Sequence, residues 1–374
     1  MSVLILSADQ KQAVPIVQSL GKRGIPVGCL SPNPLAPAFF SKYCSEIIHF
    51  PGTRDRERYA EFLKTLVKEK SYRLLIPCSD YSTLLVSELS HDLLHYTKVW
   101  LPSHDWVRTV TSKAALMRFA ELNRISVPTT YFPKDALELK QMASDMTYPL
   151  VIKGDVTAGA VNVRYVRRKV DLVRIYNDLH KTDKAPILQQ YIDGKEFMFY
   201  GLCKKGKVVA FVLMEIIRSW PPSGGTPAKT VTIFDAKLKE FAFNLIERTK
   251  WTGVVSLDIK QDRLTRDLFL LDFNPRFGAT TFLAIKSGID FPYLLYQLAV
   301  EENEQYIETY TKEIYRSLFR EDLFYAAKRP WMVPKLLLEF LDHRVYYGYD
   351  KEDPEPFYRM AKNAVADMRK AIFT

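Results

Sequence analysis

The chain has 374 residues, 47% of them hydrophobic and 26% charged. At roughly 150 residues per domain that length predicts two or three domains, and the balance excludes a disordered tail, a collagen and a coiled coil. Lys and Arg number 53 against 43 Asp and Glu, and the surplus of +10 favours anionic partners without choosing among them.

The apolar run 208–217 is interrupted by Glu215 and is too short to cross a bilayer, so no membrane span is expected. No basic segment precedes Val3, so no signal peptide is expected. Cys29, Cys44, Cys78 and Cys203 lie far apart and read as reduced thiols of a cytoplasmic protein.

The first hundred residues alternate strand and helix patterns. Strands are predicted at 3–6, 26–30, 47–50 and 73–77, and helices at 10–20, 59–67 and from Asp80 onward. That order predicts an open parallel α/β sheet whose ligand edge includes Ser7, Ser31, Ser79 and Asp80. Neither a dinucleotide glycine turn after Leu6 nor a Gly-Lys-Ser/Thr phosphate loop occurs, which argues against a nicotinamide dehydrogenase and a P-loop NTPase. His91 and His95 have metal-ligand spacing, but Leu85, Leu89 and Leu93 define the buried stripe, so both histidines are expected in solvent.

Residues 107–122 read as one helix. Strands follow at 148–153, 161–166 and 186–192, with a helix at 170–179 between them. Longer strands are predicted at 196–203 and 208–217, then an irregular loop over 219–227, a strand at 230–234 and a helix at 236–248. The last seventy or so residues read as helical and aromatic-rich.

Chemistry concentrates in two apolar strands, 253–260 and 268–276, separated by a polar turn. A hairpin symmetric about residue 265 sets Asp258 opposite Asp272, and alternation puts Asn274 on the same face. Val255, Leu257 and Ile259 then face the core with Phe269, Leu271 and Phe273. Opposed carboxylates repel, and three oxygen ligands on one face suit a hard cation such as Mg²⁺. Pro275 ends the ladder and turns Arg276 toward the site. Arg218 and the glycines Gly224 and Gly225 follow the strand 208–217, and an Arg there could clamp a substrate carboxylate in bidentate fashion.

This hairpin resembles the metal-binding hairpin of the ATP-grasp superfamily, an acidic or Gln residue followed about fourteen residues later by Glu-x-Asn-Pro-Arg. Asp258, Asp272, Asn274, Pro275 and Arg276 match it, with Asp in place of the commoner Glu at 272. Other pieces fall in order: Thr111, Ser112 and Lys113 opening a helix, the strand ending at Lys153, and the hinge sequence from Gln190 through Gly194 to Glu196. The resemblance implies an ATP-grasp fold behind an N-terminal open parallel α/β domain. The expected regions are 1–105, 106–194, 195–300 and 301–374, the second being a lid. It further implies Lys113 and Lys153 on ATP phosphates, Gln190, Tyr191 and Ile192 around adenine, and Glu196 on ribose. Asp258, Asp272 and Asn274 would hold Mg²⁺, with Mn²⁺ as a substitute, Arg276 would stabilise the transferring phosphoryl group, and 154–162 would cover the phosphates.

The closest resemblance is to short relatives of the carbamoyl-phosphate synthase large chain. It implies an ADP-forming ligase that activates a carboxylate as an acyl phosphate and joins it to an amine. Alternatives are carboxyphosphate-type carboxylation or phosphorylation, and an ATP-binding regulatory protein that transfers nothing. The expected partners are a small or precursor carboxylate and an amine, with no nucleic acid and room for a homodimer.

Overall fold

The computed structural model describes residues 2–155, 163–181, 186–221 and 225–373. Strands β1 (Val3–Leu6), β2 (Val27–Ser31), β3 (Cys44–His49), β4 (Leu74–Pro77) and β5 (Lys98–Val99) form a parallel sheet in the order β3-β2-β1-β4-β5. Every residue of β1, β2 and β4 is buried, as a parallel sheet covered on both faces requires. Strand order reverses at β1, so the crevice lies beyond the C-termini of β1 and β4, where the Ser7 and Ser79 hydroxyls meet at 2.9 Å.

A second sheet joins β6 (Thr130–Tyr131), β7 (Leu150–Lys153), β8 (Val163–Val166) and β9 (Ile187–Gln190), antiparallel, in the order β6-β9-β7-β8. The third is built from β10 (Gly194–Lys204), β11 (Lys207–Trp220), β12 (Thr226–Ile233), β13 (Gly253–Asp262), β14 (Leu268–Asn274), β15 (Tyr315–Ser317) and β16 (Val345–Tyr346). Its order is β14-β13-β10-β11-β12-β15-β16. Alternation along β10 and β11 splits two cores. Phe199, Phe211 and Leu213 pack under the helix Ala236–Thr249, while Met198, Tyr200, Val212 and Met214 face the N-terminal sheet and its helix Ala13–Gly21. Gly194 starts β10 because a Cβ there would run into the Gln261 carbonyl of the paired strand.

The structure departs from expectation in four places. The helix over 107–122 is two, His104–Thr111 and Lys113–Leu122, broken at Ser112, whose extended backbone and hydroxyl cap the second by accepting from the Ala115 NH. The two ends of the loop expected over 219–227 are strand: Trp220 pairs with Thr226, and its ring packs on Phe324 and Tyr325. Gly225 lies just before β12, whereas Gly224 lies outside the described residues. The C-terminal region is not all helix. Short β15 and β16 extend the third sheet, their pairing supplied by neighbours rather than by strand propensity. Finally, a bulge after Asp258 pairs Ile259 with Leu270, so Leu270 is fully buried and Leu271 turns to the cleft.

Candidate active site

The second and third sheets face each other across a cleft of about 320 Å³, with β13 and β14 as its floor. Asp258 and Asp272 are direct register partners, and Ser256 pairs with Asn274, so all four share the face that lines the cleft. The opposite faces of Leu257 and Phe273 are buried, which locks the carboxylates outward. Burial and the charge of Asp272 push Asp258 up to about 7. Among the described residues no group of three His, Cys, Asp or Glu side chains is assembled for a metal. The available donors are two carboxylates and the Asn274 amide, an oxygen set that fits Mg²⁺ when phosphates and water complete the shell. His91 and His95 are exposed, with His91 92% so at its side chain.

Lys113 and Lys153 enter the same cleft from different elements. Lys113 begins its helix, 8% exposed, with Nζ 3.6 Å from Asp272. Asp155, just beyond β7, fixes that helix start by accepting from the Ser112 hydroxyl at 2.9 Å and the Ala114 NH at 2.8 Å. Lys153 ends β7. Burial drives its ammonium down to about 8, against the pull of Asp272. Two desolvated lysines facing two close aspartates form a site built to take up charge.

The other end of the cleft is apolar. Val151, Val163, Phe197, Met198 and Leu271 line it, with Gln190, Tyr191 and Ile192 at the crossing between sheets. Tyr165 meets Tyr191 edge-on at 5.9 Å. Glu196, also in the cleft, pairs with Lys260 at 2.8 Å, and Lys260 lies over the Tyr191 ring. Of the expected covering segment, only Gly154 and Asp155 lie within the described residues; 156–162 fall outside them.

Arg276 closes the phosphate end. Its guanidinium makes a bidentate pair with Asp80 at 2.6 and 3.1 Å. Burial opposes its charge, yet Asp80 and the two aspartates hold it above its ordinary value. The N-terminal sheet thus contributes directly: Ser79 and Asp80 line an adjoining cavity with Lys113, Asp272, Asn274 and Arg276. Ser31, by contrast, is fully buried and donates to Asp9.

Arg218 is elsewhere. It is 8% exposed, does not line the cleft, and donates to Asp322 at 2.6 Å and Glu339 at 3.0 Å. Burial opposes its charge, but Glu339 and Asp322 raise its pKa overall. Burial also lifts Asp322 despite this pairing, whereas Glu339, held by both Arg218 and Lys229, stays below its usual value. The side chain pins the C-terminal helices to the sheet. Arg218→Ala should therefore cost about 3–5 kcal/mol in urea unfolding, because it strands buried carboxylates.

The position expected of Arg218 is occupied by Arg316, from β15. It lines the cleft, is 4% exposed, and among the described residues its guanidinium has no hydrogen bond or ion pair. Burial pulls it down to about 10. No local pattern marks Arg316 in the sequence, nor Lys260 and Tyr165.

Comparison with solved structures identifies the architecture. N5-carboxyaminoimidazole synthetase from Staphylococcus aureus, complexed with ADP, superposes at TM-score 0.69 over 89% of this chain and 86% of that chain, at 13% identity. The chain has the ATP-grasp fold. Biotin carboxylase from Campylobacter jejuni matches at TM-score 0.68 and 15% identity, over 84% of this chain and 74% of that one. An L-amino acid ligase from Bacillus licheniformis matches this ATP-grasp fold at 0.64 and 16%, over 80% and 74%. A family model described as ATP-grasp in the biosynthetic pathway with Ter operon matches residues 182–318. Curated proteins give no match. Among the described residues, no helix of the fold is long and apolar enough to cross a membrane.

Proposed function

We propose that this ATP-grasp chain is an ADP-forming ligase that joins a carboxylate to an amine. One observation carries the reading: Lys113 and Lys153 converge with the opposed Asp258 and Asp272 in a cleft whose far end is apolar. Lysines on phosphates, an apolar slot for a base and paired carboxylates for Mg²⁺ are the complement of Mg-ATP. Asp258, Asp272 and Asn274 would hold the cation, which neutralises phosphate charge when bound. Gln190, Tyr191 and Ile192 would contact adenine, and Glu196 the ribose.

The chain's own residues then act by placement. Lys113, Lys153 and Arg276 receive the charge that spreads over the γ-phosphoryl oxygens. A carboxylate oxygen attacks the γ-phosphorus, the bond to the β-phosphate oxygen breaks, and ADP leaves. The amine nitrogen adds to the resulting acyl phosphate, and the C–O bond to phosphate breaks as the amine gives up a proton. Arg316, buried at the cleft wall and without a hydrogen bond among the described residues, is placed to hold the carboxylate. This replaces the role expected of Arg218. The regions 106–194 and 195–300 would supply the two sides of the cleft, with 1–105 contributing Asp80 and 301–374 contributing Arg316. Free cysteines throughout suit the cytoplasm.

The test is ADP release measured with Mg-ATP against a panel of carboxylates and amines. Release that requires both an acid and an amine supports ligation. ATP binding with no release under any pairing would favour the regulatory alternative. Release supported by bicarbonate alone would favour carboxyphosphate chemistry.

A further inference from the structure

A side pocket of about 270 Å³ opens off the cleft and shares Arg316 and Ala279 with it. It lies between the helix Ala13–Gly21, the helix Phe319–Lys328 and the helix Glu355–Phe373. One wall is apolar, formed by Val14, Pro15, Phe282, Phe319, Phe357 and Met360. The other is charged, with Lys11, Arg316 and Arg320 set among Asp9, Glu321 and Asp367, and on two of these groups hydrogen-bonding atoms lack partners among the described residues. Arg316 has no hydrogen bond or ion pair among the described residues, although it is 4% exposed. Glu321 is 1% exposed; Lys11 at 3.2 Å and Arg320 at 3.5 Å both sit on its Oε1, and among the described residues its Oε2 accepts no hydrogen bond.

Glu321 lends Arg316 some counter-charge but no hydrogen bond, and enclosing a guanidinium or a carboxylate oxygen without a hydrogen-bond partner is costly. Both costs fall in one pocket, next to an aromatic wall and beside the cleft, with which it shares Arg316. A ligand that repairs them needs an anionic group, a donor cation close to it and an apolar body. We propose that the pocket binds one substrate of the ligase, an α-amino acid with a large apolar side chain. Its carboxylate lies on Arg316, at the wall shared with Arg276 and Asp272. Its ammonium lies toward Glu321, and its side chain lies against Phe319, Phe357 and Met360. The volume suits a single amino acid rather than a peptide. A sugar or polyphosphate would leave the apolar wall unmatched, and a fatty acid would leave the Glu321 Oε2 without a donor. The proposal rests on the ligase reading above, because only that reading makes the carboxylate at Arg316 a reacting group.

The experiment uses the full chain. Isothermal titration measures phenylalanine, leucine, methionine, glycine and aspartate, together with 3-phenylpropionate and phenethylamine, each with and without Mg-ATP. Phenylalanine, leucine or methionine should bind at least about tenfold more tightly than glycine or aspartate, and than either analogue lacking one charged group. Ala361→Trp, which narrows the apolar end, should weaken the large amino acid about tenfold or more while ATP affinity and melting temperature hold. Glu321→Gln should shrink the gap between phenylalanine and 3-phenylpropionate. Equal affinity across the panel, or indifference to Ala361→Trp, overturns the pocket assignment. ADP release driven by small hydrophilic acids, unaffected by Ala361→Trp, would overturn it while leaving the ligase reading intact. Selective amino-acid binding without any ATP binding would do the reverse.

Discussion

Asp272→Asn should reduce Mg-dependent ADP release by on the order of 10²–10³-fold while leaving the fold intact. The two halves of that expectation have separate physical grounds. Asp272 faces Asp258 across the hairpin and lies 3.6 Å from Lys113, so its carboxylate sits where cation and phosphate charge would meet. An amide keeps the shape and one oxygen but removes the negative charge that a hard cation needs. The fold should survive because the hairpin is held by the buried faces of Leu257 and Phe273, not by the aspartates. Removing Asp272 also relieves a like-charge contact that, after burial, raises Asp258. The melting temperature of the metal-free variant should therefore hold or rise. Calorimetry and an ADP-coupled assay read the two quantities independently. Ordinary turnover in this variant would remove the metal role of the hairpin.

Lys153→Ala should weaken ATP binding by about 1.5–3 kcal/mol and leave adenosine almost unchanged. Lys153 ends β7 in the cleft, its side chain half-buried, and desolvation there drives its ammonium down to about 8. That desolvation has been incurred before any ligand arrives, so a phosphate gains a strong contact at little further cost. The apolar slot of Val151, Val163 and Leu271 is independent of this charge and should still bind the nucleoside. Titration of ATP, ADP and adenosine against both proteins separates the terms. Equal losses for ATP and adenosine would mean that Lys153 supports the cleft rather than the phosphates.

Sequence period and spacing carried a large part of this molecule. Fourteen positions separate Asp258 from Asp272 around a polar turn, and strand alternation alone then places both with Asn274 on one face. The same rule reads the two faces of β10 and β11, and the βα order of the first hundred residues leads to a ligand edge at Ser79 and Asp80. These features are local, or repeat with a local period. What escaped depends on breaks in that period or on distant chain. A bulge after Asp258 buries Leu270 and turns Leu271 to the cleft. A register shift between Ile216 and Arg218 breaks the alternation, so that Ile216 lines the cleft while Arg218 joins Asp322 and Glu339. Arg316 arrives on a three-residue strand whose pairing with β12 is set by tertiary neighbours. Which residue types meet across a regular ladder can be read along the chain. Which arginine reaches the cleft is set by long-range packing, because a one-residue shift inverts a side chain's face and no local energy records it.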